Sequence, residues 1–192
     1  MAKAKPLTNL DPNAPTGQNA RCIARTRLEE VYSLAADVDK PYEVRGLHNV
    51  RIAAKRLRYT LEIFADALPS ACQAIAHELA QVQDELGALH DSDVMIALLR
   101  LCMGGEDAGT AYEQALVKVG KQKGKGKLLL QPALVASVLD PDGAPSAEQR
   151  YGLEQLLHKQ LQLREEHYRI FRQHWYQLQA RDFRRELQDV LK

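Results

Sequence analysis

The chain has 192 residues, 45% apolar and 27% charged, which fits one soluble globular domain whose core needs no disulfide or metal staple. A net charge of +1 excludes a histone-like polycation, so any affinity for anions has to come from local clustering of cations. Cys22, Cys72 and Cys102 are odd in number and form no Cys-x-x-Cys or zinc pattern. With no secretory signal and no run of 18 apolar residues, they read as reduced thiols in a cytoplasmic protein that does not enter the membrane.

Residues 1–18 are polar and carry Pro6, Pro12 and Pro15, the pattern of a disordered arm, which leaves 19–192 as a single helical domain. Ile23, Leu28, Val31, Tyr32, Leu34 and Ala35 recur at helical intervals and predict a first helix from Asn19 to about Val38. Pro41 marks a break, and a second helix is predicted over Glu43 to Ala67, ended by Pro69-Ser70. A third runs from Ser70 to about Met103 on a stripe of Ile75, Leu79, Val82, Leu86 and Leu89. Within it Gly87 permits close approach or marks a kink, and Asp91 or Asp93 is placed to cap a restart at Val94.

After Gly104-Gly105 the pattern is less regular: a short helix at 111–119, a basic Gly/Lys loop at Lys118 to Lys127, a short helix at 128–139 and a turn at 140–143. A long helix is then predicted from Ser146 to Gln179, opened by a Ser146/Gln149 capping box, and a last short one from Arg181 to Leu191. No alternating β pattern occurs. The class is all-α: an up-down bundle of long antiparallel helices with short extra helices after residue 104.

The second helix is two-sided. At 100° per residue, Arg51, Ile52, Lys55, Arg58 and Tyr59 lie within about 80° of His48, while Leu47, Val50, Ala53, Ala54, Leu57, Thr60, Leu61 and Phe64 take the other half. No acidic residue interrupts Arg45 to Leu61. Three cations and an imidazole stacked over roughly 15 Å of axis repel one another, and that repulsion implies a counter-anion.

On the long last helix, Gln160, Arg164 and His167 share the direction of the apolar stripe. Arg164 there either pairs with Glu62 or Asp91 as a structural ion pair, or faces a polar channel together with His167 and the second helix. Arg21 and Arg25, one turn apart on the first helix, can join the same cluster. An anion touching three helices is long or multiply charged. A row of phosphates suits cations that recur every 4.5 to 6 Å, roughly, along a helix, and guanidinium forks grip phosphate oxygens in pairs.

The segment Leu47-His48-Asn49-Val50-Arg51-Ile52-Ala53-Ala54-Lys55-Arg56-Leu57-Arg58-Tyr59 resembles the signature helix of the CHAD family (conserved histidine α-helical domain). Leu86-Gly87 followed by His90-Asp91-Ser92-Asp93-Val94 resembles that family's second hallmark, in the right order and at ordinary spacing. The resemblance spans about Asn19 to Leu191, weakly between Gly104 and Ala147. It implies a helical bundle that binds inorganic polyphosphate through a basic groove or pore, without catalysis. It assigns His48, Arg51, Lys55 and Arg58 to the basic face and Arg56 to its rim; Arg21, Arg25 and Arg164 follow more loosely, and His167 joins them from the last helix. The family usually contains two bundles in tandem; only one signature helix is found here, so a homodimer is expected to supply the second. Polyphosphate binding further suggests association with polyphosphate granules.

Other readings are open. The six histidines make no His-x-x-x-His or Glu-x-x-His pair, so no metal site or cofactor is expected. Asp91 and Asp93 suit capping and pairing with arginines better than holding magnesium. No P-loop, paired carboxylates or nucleophile with its base points to an enzyme. Nucleic acid would exploit the same basic face, but Tyr59 is the one aromatic beside the cations. An acidic protein docked on the stripe is the third option.

Overall fold

The computed structural model of the protein describes residues 4–103 and 146–192. Among the described residues there is no strand, and the α-helices are α1 (Thr16–Tyr32), α2 (Val44–Ile63), α3 (Ala71–Cys102), α4 (Ala147–Ala180) and α5 (Phe183–Val190). The fold is an all-α helical bundle, as the periodicity predicts. The expected short helices at 111–119 and 128–139, the Lys118–Lys127 loop and the 140–143 turn lie outside the described residues.

The boundaries differ from expectation where local chemistry overrides periodicity. Pro15, extended at φ −55°, ψ 144°, stands at the N-cap, and α1 begins at Thr16 rather than Asn19. The segment before it, expected as a disordered arm, lies along α1. The Asn19 side chain accepts from Asp11 N (3.1 Å) and donates to Asp11 O (2.7 Å), and Arg27 donates to Lys5 O (3.0 Å). At the other end, the Ser33 hydroxyl donates to Glu30 O (2.7 Å), and the chain passes into a 3-10 turn at Ala35–Asp37 instead of continuing α1 to Val38. α2 closes the same way, with a 3-10 turn at Ala65–Ala67.

α3 runs unbroken through Gly87 and Asp93, so no helix restart at Val94 occurs. One glycine costs a helix only about 1 kcal/mol, and Leu86 and Leu89 on either side are buried at 2% and 1% exposure. Asp93 caps nothing; it serves as an ion-pair partner, described below. The predicted capping box of α4 is present: Ser146 N donates to Gln149 Oε1 (2.8 Å) and Gln149 N to Ser146 Oγ (3.2 Å). α5 starts at Asp182, which adopts the left-handed conformation (φ 58°) and accepts from Arg185 N at 3.4 Å.

The chain divides into two compact units, residues 1–90 with 165–192, and residues 91–164. In the first, α1 and α2 are antiparallel: Glu30 near the end of α1 meets Arg56 of α2, and Gly17 at the start of α1 meets Ala67 just past α2. The fully buried Ala20, Ala24, Ala53 and Ala54 let these helices approach closely. α3 and α4 are antiparallel too, since Glu85 meets His174 (2.9 Å) and Glu78 meets Arg181. Between the helices, Leu28, Leu57, Val82, Leu86, Phe171, Trp175 and Leu187 form one apolar core. Each large side chain buried there contributes about 1.5–3 kcal/mol. Tyr168, from α4, donates to Val38 O (2.9 Å) and ties down the α1–α2 connection. In the second unit, Ile96 and Leu99 of α3 are buried, as is Arg164 of α4.

Candidate anion-binding site

The α2 sequence sorts itself by burial as its periodicity predicts. Leu47, Val50, Ala53, Ala54, Leu57, Thr60 and Leu61 are buried, while His48, Arg51, Lys55 and Arg58 are half-buried. Those four residues recur at intervals of three, four and three, one stripe along the helix. The stripe therefore follows from the burial of the opposite face, which fixes the rotation of α2.

Single nitrogen atoms of this stripe are enclosed without a partner. Arg51 Nε and His48 Nδ1 are shut off from solvent, and neither has a hydrogen-bond partner among the described residues. Arg21 Nε on α1 is in the same condition. No carboxylate among the described residues pairs with Arg21, Arg51 or Lys55. A desolvated donor left unmade typically costs 1–3 kcal/mol, roughly, and more when charged.

Arg51 lies across α3 at Gly87, where an added Cβ would stand 3.8 Å from its Nε. One turn earlier, the His48 ring sits 5.0 Å from the ring of His90 on α3, tilted by 44°. Burial first, then the nearby His90 and Arg51, push the His48 imidazole down to about 4, so it is neutral at pH 7. Lys55 Nζ and Arg58 Cζ lie 5.3 and 5.0 Å from the centre of the Tyr59 ring, so two cations share one aromatic. Arg58 Nε is 3.5 Å from the half-exposed carboxylate of Glu62, a weak pair in water. Arg21 stands near the start of α3: burial pushes the Cys72 thiol up, and the Arg21 charge opposes that rise.

Other residues expected at the site are engaged inside the fold. Arg56, expected at the rim, is bound by Glu30, which is 3% exposed and also holds Arg27 at 2.7 Å. Arg25 donates to the carbonyl of Leu191, closing the last turn of α5. Arg164, 4% exposed, is bound by Asp93 at 2.6 Å, the structural ion pair that was one of its two readings, with Asp93 as partner rather than Glu62 or Asp91. His167 is half-buried on α4.

His90 is the site neighbour that sequence reasoning passed over. It stands in the second motif, three residues after Gly87, but only the packing of α3 on α2 brings it to His48. Among the described residues no group of three or more His, Cys, Asp or Glu could hold a metal ion, and no helix is long and apolar enough to cross a membrane.

The CHAD domain profile matches residues 2–100. Both motif segments and the whole His48–Arg58 stripe fall inside the match; Arg164 and His167 fall outside it. Comparison with curated proteins and with solved structures returns no match. The profile covers just over half of the chain and coincides with the helices that carry these enclosed nitrogen atoms, and on that ground the protein belongs to the CHAD domain family.

Proposed function

We propose that this protein binds inorganic polyphosphate, without turning it over, along the α2 stripe of His48, Arg51, Lys55 and Arg58, with Arg21 of α1 contributing. The observation that carries the reading is the enclosed, unpartnered Nε of Arg51 beside the enclosed, unpartnered Nδ1 of His48. An unpartnered guanidinium N–H costs free energy that pairing with an acceptor-rich anion recovers. Family membership supports the same ligand class.

Nucleic acid is the competing polyanion. Its single-stranded form is held by stacking bases on open aromatic rings. Tyr59, the aromatic of this stripe, already has Lys55 and Arg58 within 5.3 Å of its ring centre, which favours a ligand without bases. An acidic protein on the same stripe is the further alternative.

Titration with polyphosphate at two salt concentrations, comparing the natural protein with Arg51→Glu/Arg58→Glu, tests the proposal. Binding that weakens in the variant and with salt is expected; equal binding by both proteins overturns it. Competition with RNA of equal charge separates the two polyanions. We further propose that two copies pair to complete a two-bundle arrangement, and that polyphosphate granules are where the protein is found. Sedimentation showing a monomer with polyphosphate bound refutes the pairing.

A further inference from the structure

We infer that polyphosphate binding to this face is coupled to proton uptake by His48, so that the protein holds its ligand more tightly in acid. The inference rests on the polyphosphate reading above and concerns the regulation of that site.

His48 is built unlike an ordinary surface histidine. Its Nδ1 is enclosed and unpartnered, its ring lies against that of His90, and one turn along stands Arg51 with an enclosed, unpartnered Nε of its own. The groups that bear on it among the described residues are Arg51 from its own helix and His90 from α3, and both oppose a positive charge there. Asp91, next to His90, is exposed, and among the described residues no carboxylate is one of the groups that act on the imidazole. Burial together with these neighbours keeps His48 neutral at physiological pH.

A bound phosphate chain reverses each of those influences. Its negative charge neutralises Arg51, removes the penalty on an imidazolium beside it, and supplies the acceptor that an Nδ1–H lacks. Proton and anion therefore favour each other's binding, and the coupling is reciprocal. Lys55 and the arginines contribute the remainder of the affinity through their own contacts with the anion.

The size of the effect follows from linkage. If the bound anion restores His48 to the ordinary imidazole value, affinity is about tenfold tighter at pH 5.5 than at pH 8, with about one proton taken up per site in acid.

The test is calorimetric titration with long-chain polyphosphate, whose interior phosphates do not titrate in this range. It runs at fixed ionic strength from pH 8 to 5.5, in buffers of different ionisation enthalpy. The expected result is rising affinity with net proton uptake in the natural protein, and loss of that rise in His48→Gln. Binding that is flat with pH, or a rise that survives in His48→Gln, overturns this inference and leaves the polyphosphate reading standing. No binding at any pH overturns both.

A second measurement needs no variant. The His48 ring is followed by NMR through a pH titration of the natural protein with and without polyphosphate. Its midpoint rises by at least about one unit on binding if the inference holds; an unmoved midpoint overturns it.

Discussion

Arg56 on α2 is bound by Glu30 on α1, although it stands between Lys55 and Leu57 in the most cationic run of the chain. Glu30 is almost fully buried and also holds Arg27, so this carboxylate makes Arg56 part of the α1–α2 interface. Two arginines of one helix, Arg51 and Arg56, thus have different duties.

That division predicts a double dissociation. Glu30→Gln leaves two arginines facing a neutral group and lowers stability by about 3 kcal/mol, the low end of the range for a broken buried pair because Arg56 is partly exposed. Arg51→Ala does not lower the urea midpoint, since it removes an enclosed donor that has no partner to lose, and weakens polyphosphate binding instead. Urea unfolding and polyphosphate titration on the two variants check both halves.

Two glycines of the first unit are expected to respond oppositely to alanine. At Gly17 a Cβ would lie 2.8 Å from the backbone oxygen of Ala67, which cannot swing aside. Gly17→Ala therefore forces α1 away from the end of α2 and costs about 1–3 kcal/mol. At Gly87 the one atom of the described residues that an added Cβ would meet within 4 Å is Arg51 Nε, at an ordinary 3.8 Å. Gly87→Ala gains helix propensity, up to about 1 kcal/mol. Thermal melts of both variants decide the signs.

Stability without ligand depends on pH through His48. Its imidazole is depressed from 6.5 to about 4 in the folded chain, so between those values the unfolded chain binds a proton that the native chain does not. Stability from this group is complete above the ordinary value and lost as the pH falls towards 4. Melting temperature is expected to decline across that window, and less steeply in His48→Gln. A decline of equal slope in both proteins counts against His48 as its source.

Salt dependence separates contacting cations from internal ones. Lys55→Ala lowers the slope of log affinity against log salt by roughly 0.7–0.9, one counterion's worth. Arg25→Ala leaves that slope unchanged and instead loosens α5, because its guanidinium serves the Leu191 carbonyl. Polyphosphate titrations over a salt series, with hydrogen exchange at residues 183–191, test the pair.

The sequence by itself determined the class, most element boundaries and the rotation of α2. All three depend on interactions within a few residues: an apolar half-circle at 3.6-residue spacing must face the core, and the cations at His48, Arg51, Lys55 and Arg58 are then turned the other way. The Ser146/Gln149 cap was legible for the same reason, its partners being three residues apart. What only the tertiary structure decided is which cations remain unneutralised. Arg56 meets Glu30 across 26 residues, Arg164 meets Asp93 across 71, and His90 reaches His48 from another helix. Periodicity gives the side of a helix on which a charge stands, but its counter-charge is set by how separate helices pack, and spacing along one helix carries no record of that.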